Sequence, residues 1–160
     1  MNDRVDLPVA RIRKLAGDGE FLSVVHEVYD WLEEEIAAHQ PVCRRRGDCC
    51  RFVEFGHKLY VTSVELAFLL GTCDRESATG GMAGTCPYLI GDRCRARQSR
   101  PTGCRIFFCE SSGQGWQEDL TESTLARLRD LHKRFDVPYA YVEWLSALRR
   151  IIGRYWPKAS

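Results

Sequence analysis

Thr62-Ser63-Val64-Glu65-Leu66-Ala67-Phe68-Leu69-Leu70-Gly71 carries the most complete helix signature in the chain. A threonine with a glutamate three residues on forms a capping box, in which the hydroxyl accepts from one orphan N–H of the first turn and the carboxylate reaches back to another. The apolar run Leu66 to Leu70 follows at once, and Gly71 predicts the stop.

Working outward, the same periodicity recurs on both sides. Residues 8–39 place Val9, Ile12 and Leu15, then Phe21, Leu22, Val25, Val28, Tyr29, Leu32 and Ile36, at helix spacing. The break at Gly17-Asp18-Gly19 predicts two helices, and Pro41 ends the pattern. Near the C-terminus, Leu125, Leu128, Leu131 and Phe135 make one helical stripe. Tyr139, Val142, Leu145, Leu148, Ile152 and Tyr155 make a second after Pro138. Residues 111–117 read as a polar stretch, and Arg51–Tyr60 as a short extended one.

The expected fold is mainly α with little or no sheet: an irregular cysteine-rich metal-binding core flanked by N-terminal and C-terminal helices. At 160 residues it is one domain, helical over 8–39, with a cysteine-cluster core over 43–110 and helical again over 121–156. The longest apolar run, Leu66 to Leu70, is far below the roughly twenty residues that cross a bilayer, so no membrane association is expected.

Seven of the eight cysteines fall in two groups, Cys43/Cys49/Cys50 and Cys86/Cys94/Cys104/Cys109. Thiolate is the soft ligand that zinc and iron-sulfur clusters prefer, and seven sulfurs exceed what one tetrahedral ion uses. One multinuclear cluster and two separate sites are both open. The beginning of the sequence has no apolar signal stretch, which predicts a cytoplasmic, reducing setting where structural disulfides rarely persist. Neighbouring side chains diverge in any regular backbone, so Cys49 and Cys50 do not share one ion. Either each serves one of two sites, or one ligates and the other packs. Gly91-Asp92 turns the chain between Cys86 and Cys94 so that the two thiols converge. Cys73 stands outside both groups and reads as an incidental thiol, and His57 is a ligand candidate by proximity alone.

Residues 43–110 hold eleven Arg/Lys against seven Asp/Glu, while the remainder holds twelve against fifteen. Four thiolates around a zinc ion or an oxidised four-iron core leave about two negative charges, which this basic excess balances. Arg105 adjoins a presumed ligand and Arg100 flanks the same Pro101 turn, so both are candidates to donate to the cofactor or its thiolates. Phe107-Phe108 either shields the sulfurs from water or is plain core.

Taken together, Cys43-x5-Cys49-Cys50, Cys86-Pro87-Tyr88-Leu89, Gly91-x-x-Cys94 and Arg100-Pro101-x-x-Cys104-Arg105 followed by Cys109 resemble the YkgJ-type cysteine-cluster family, the CxxCxxCC zinc- or iron-chelating domain. The resemblance covers roughly residues 43–110 and implies metal binding by these seven cysteines. It further implies an iron-sulfur or zinc protein acting beside a modifying enzyme. One departure matters: Arg46 stands where the family places a second cysteine, so a ligand is missing, to be replaced by Cys73, Asp48 or His57 or left as an open coordination position.

The functional expectation is an iron-sulfur protein in electron transfer, or accessory to a redox or modifying enzyme, docking a protein partner through its basic rim. The alternative is a zinc-binding structural or chelating module without redox activity. A nucleic-acid adaptor using Arg44-Arg45-Arg46 is disfavoured by the absence of paired C-x2-C knuckles. No nucleophile elbow, phosphate-binding glycine loop or HExxH is present, and no catalytic residue is assigned.

Overall fold

In the computed structural model, which describes residues 6–41, 50–52, 56, 58–79, 84–106 and 114–153, the capping box closes as its spacing predicts. Thr62 Oγ1 accepts from the Glu65 N–H at 3.3 Å, and Glu65 Oε2 accepts from the Thr62 N–H at 2.8 Å. The helix that follows, Ser63–Thr72, is buried from Ser63 to Leu69, which is why the run Leu66 to Leu69 is apolar on every face.

The described residues form six α-helices and two small two-stranded sheets, a mainly helical fold. In chain order they are α1 (Val9–Ala16), α2 (Gly19–Ala38), β1 (Tyr60–Thr62), α3 (Ser63–Thr72), β2 (Leu89–Ile90), β3 (Arg93–Cys94), α4 (Thr102–Ile106), α5 (Gln114–Arg134), β4 (Tyr141–Glu143) and α6 (Trp144–Ile152). The α1/α2 break falls at Gly17-Asp18, where the Asp18 side chain accepts from the Phe21 N–H at 3.1 Å and caps α2. α1 packs on α3, α2 and α4 pack on α5, and the buried side chains of all of them join one core.

Gly71 lies in the last turn of α3 rather than beyond it. A Cβ there would sit 2.6 Å from the Ala16 carbonyl oxygen and 2.6 Å from Leu22 Cδ2. Glycine is therefore required by the close approach of α3 to the α1–α2 corner, not by a helix stop.

The C-terminal third departs from the two stripes. α5 begins at Gln114, inside the stretch read as polar, because half-buried Trp116 and buried Leu120 and Thr124 continue its inner face ahead of Leu128. After Pro138 the chain is extended. Tyr141, Val142 and Glu143 pair antiparallel with Thr62, Val61 and Tyr60, and α6 starts only at Trp144. Val61 offers a buried partner to Val142, and the Glu143 carboxylate caps α6 by accepting from the Leu145 and Ser146 N–H groups. A β-branched residue on a paired edge beside an acidic cap outweighs the helical spacing. Of the Arg51–Tyr60 stretch, Arg51 bridges Thr85 and Tyr60 opens β1, while Val53–Phe55 and His57 lie outside the described residues.

Glu65 is 2 % exposed and does more than cap. Its Oε1 accepts the Thr102 N–H of α4 at 2.7 Å and the Tyr29 hydroxyl of α2 at 3.4 Å, so one carboxylate joins α2, α3 and α4. Burial and the neighbouring Glu65 charge push the Tyr29 pKa well up, keeping the phenol a donor. Replacing Glu65 with Ala leaves two buried backbone N–H groups without acceptors and is expected to cost about 3 kcal/mol. Urea melts check this, and a loss under about 1 kcal/mol would remove Glu65 from its central place.

His132 is buried on α5, with Nδ1 donating to the Leu128 carbonyl at 2.8 Å and Nε2 buried without a partner. Burial lowers its pKa below the ordinary 6.5, the Leu128 bond opposing only in part. Because the folded value is depressed, the unfolded chain takes up a proton first, so the contribution to stability is complete above about pH 6.5 and falls as the pH drops below it. The stability difference between wild type and His132→Phe should therefore change between pH 7 and pH 5 in favour of the variant; a pH-independent difference refutes the assignment.

Candidate functional site

The second cysteine group is built on a two-residue hairpin. Ile90 pairs with Arg93 and Leu89 with Cys94, and Gly91 at φ +60° takes the first turn position, where a type II′ turn requires glycine. The Leu89 N–H donates to the Cys86 carbonyl at 3.1 Å and the Arg95 N–H to the Tyr88 carbonyl at 2.9 Å, so Cys86 and Cys94 stand at the base of one ladder.

The first group is tied to this hairpin through Cys50. Its carbonyl accepts the Cys86 N–H at 2.8 Å, Arg51 bridges Thr85, and Arg51 Nη2 lies 3.4 Å from Asp92 Oδ1 in the turn. Cys50 and Cys86 are both buried. Cys86 is 4 % exposed, and its sulfur accepts the indole N–H of the buried Trp144 at 3.3 Å. Two stretches far apart in sequence thus meet side by side, in an apolar setting with an N–H aimed at sulfur.

Cys94 has a neighbour that spacing alone did not reveal. Burial, then the charge of Cys94, then Asp74 push the Cys73 pKa up, so Cys73 lies within the electrostatic reach of Cys94 although it stands outside both groups. Its position at the C-cap of α3 was the available signal, since the capping-box helix predicts where that chain emerges. Cys104 sits in the single turn of α4. None of the five described cysteines is in a disulfide, and no three Cys, His, Asp or Glu side chains among the described residues are grouped around one metal position. Cys43, Cys49 and Cys109 lie outside the described residues, as do Arg44–Arg46, His57 and Phe107–Phe108.

Both candidate arginines act on the peptide that carries Cys104. Arg100 Nη1 donates to the Cys104 carbonyl at 3.2 Å and Nε to the Arg97 carbonyl at 2.9 Å. Arg105 is buried, with Nε donating to the Arg100 carbonyl at 2.7 Å, Nη2 to the Gln98 carbonyl at 2.8 Å and Nη1 to Glu33 of α2 at 3.0 Å. Its guanidinium also lies 4.0 Å from the centre of the Tyr29 ring.

Cys104 faces a cavity of about 450 Å³ between α4, α5 and the β1–β4 ribbon. Its apolar wall includes Phe52, Leu59, Ile106 and Leu125, its polar wall Thr102, Cys104 and Gln117, and its charged residues Lys58, Glu65, Glu118 and Glu122. Tyr60 and Tyr141, with rings 5.5 Å apart, also border it. A Cβ at Gly103 would lie 2.3 Å from Leu59 Cδ1, so a larger residue there would displace the Leu59 side chain. Sequence reading did not find this cavity, since it is made by α5 starting early and by the strand that replaces a helical turn at Tyr141.

No protein-family model matches this chain, and neither a search of curated proteins nor one of solved structures returns a similar protein. No helix of the described residues is long and apolar enough to cross a membrane.

Lysine cannot reproduce a fork that reaches two carbonyls and a carboxylate at once. Arg105→Lys is expected to lower stability by about 2 kcal/mol in denaturant melts. A neutral substitution would release Arg105 for direct contact with a bound group.

Proposed function

We propose that this chain is a metal-binding cysteine-cluster protein of the YkgJ type that holds an iron-sulfur cluster and serves electron transfer, alone or beside a redox or modifying enzyme. The observation that carries the reading is the Cys50–Cys86 backbone bond together with the Trp144 N–H on the Cys86 sulfur. Hydrogen bonds to ligand sulfurs stabilise charge on them and tune a cluster's potential, and a dry setting favours the soft ligand set over exposed thiols. Family membership is part of the proposal and rests on the cysteine and Arg-Pro-x-x-Cys-Arg spacing.

The ligands would be drawn from Cys50, Cys86, Cys94 and Cys104 together with Cys43, Cys49 and Cys109. Since the described thiols do not by themselves make a three-ligand group, a complete centre requires thiols of the last three. When bound, a cluster would supply one-electron transfer. The protein's own share is to hold Cys86 against Cys50, to aim the indole N–H, and to fix the Cys104 backbone through Arg100 and Arg105. The basic excess over residues 43–110 suits an acidic docking partner.

Anaerobic purification tests the reading. Broad absorption near about 400 nm with inorganic sulfide supports a cluster, colourless protein with stoichiometric zinc converts the proposal to a zinc module, and protein with neither overturns it. Cys86→Ser and Cys104→Ser should each strongly lower metal content while Cys73→Ser does not. Full metal in the first two would reverse the ligand assignment.

A further inference from the structure

The β2–β3 hairpin has two faces. Opposite partners in an antiparallel pair share a face, and successive residues turn to opposite faces. Leu89 and Cys94 are one pair and turn inward, Leu89 buried and Cys94 half-buried. Ile90 and Arg93 are the next pair and turn outward, both exposed. Ile90 is 39 % exposed, an aliphatic side chain that the core does not use. Arg95 and Arg97 continue the exposed run beyond the ladder.

Residues 93–100 contain four arginines and no aspartate or glutamate. Arg100 is engaged inside the fold, by the Arg97 and Cys104 carbonyls. The guanidinium groups of Arg93, Arg95 and Arg97 meet no carboxylate, carbonyl or aromatic ring among the described residues, whereas Arg51, Arg105 and Arg134 each face an acid. Three like charges so close in the chain repel one another and contribute no bond to the fold, an arrangement that an anionic surface relieves. Ile90 and Asp92 decide which kind of anion fits. Arginine beside a desolvated apolar side chain is the composition of protein interfaces. A phosphate backbone offers Ile90 nothing to pack on, and it would meet the Asp92 carboxylate, 70 % exposed in the turn between Ile90 and Arg93.

We infer that the outer face of this hairpin, Ile90 with Arg93, Arg95 and Arg97, is the docking surface for an acidic protein partner, whose carboxylates pair with the guanidinium groups around an apolar contact on Ile90. The surface serves the proposed cluster and rests on that reading for its purpose. Cys94 lies between Arg93 and Arg95 in sequence and turns to the opposite face, so a partner seated here is separated from a proposed ligand only by the hairpin itself.

The test uses the full chain as purified, titrated by calorimetry and amide NMR with a synthetic peptide repeating Glu-Glu-Leu, its Gln-Gln-Leu counterpart, and an oligothymidylate of matched charge. The acidic peptide should bind, shift the amides of residues 89–97, and weaken roughly tenfold between about 20 and 200 mM salt. Arg93→Gln combined with Arg95→Gln should weaken it at least about fivefold, and Ile90→Ser about threefold. Lys14→Gln combined with Lys133→Gln removes the same charge from exposed lysines elsewhere and should leave the affinity within about twofold. No hydrogen bond or ion pair of the described residues uses these side chains, so the variants report binding and not folding. No binding of the acidic peptide, equal binding of the glutamine peptide, tighter binding of the oligothymidylate, or equal losses in the two charge-matched double variants would overturn the surface. Metal content read on the same samples keeps the two proposals apart: peptide binding without metal removes the cluster and leaves the surface, whereas metal without peptide binding removes only the surface.

Discussion

One carboxyl group organises this fold. Glu65 occupies the third position of a helix buried from Ser63 to Leu69, a place where an unsatisfied acid would be costly. It is tolerated because its oxygens meet the Thr62 N–H, the Thr102 N–H and the Tyr29 hydroxyl. Each donor comes from a different segment, so satisfying the acid and assembling the helices are one event. A purely apolar residue at position 65 would pack as well but would specify neither where α4 begins nor how α2 faces it.

Arg105 completes this arrangement from the other side of Tyr29. The phenol ring lies between them, its hydroxyl on Glu65 and its face under the guanidinium. Through the carbonyls of Gln98 and Arg100 the same guanidinium folds residues 98–105 back onto themselves, and Glu33 anchors the loop to α2. The Arg100-Pro101-x-x-Cys104-Arg105 spacing therefore has a mechanical meaning: the two arginines bracket Cys104 and hold its backbone from both ends. A thiol presented on so constrained a peptide keeps its position whether or not anything is bound to it.

What the residues disclosed, and what they concealed, follows from how local each cause is. The capping box, the Asp18 corner and the Gly91-Asp92 turn are short-range chemistry, and all three were legible as spacing. Gly71 was legible as a glycine but not as a contact, since its reason is the Ala16 carbonyl and the Leu22 side chain of another element. The strand Tyr141–Glu143 was hidden for the same reason: its partner lies some eighty residues earlier in sequence, and nothing around Val142 announces Val61. In the candidate site the turn between Cys86 and Cys94 was readable from Gly91-Asp92, whereas the backbone bond of Cys50 to Cys86 arises from tertiary pairing alone.

The short helix α4 gathers much of this chemistry into one turn. Within five residues it supplies the N–H that Glu65 accepts, the unpaired Thr102 hydroxyl, the Gly103 surface against Leu59, the Cys104 thiol and the Arg105 fork. A helix this short has almost no stability of its own, because nucleation costs more than one turn returns. Its geometry is held from outside, by Glu65 at its start and by Arg105 at its end. Cys104 therefore stands on a turn whose position is decided by side chains of other segments, which a five-residue helix could not fix by itself.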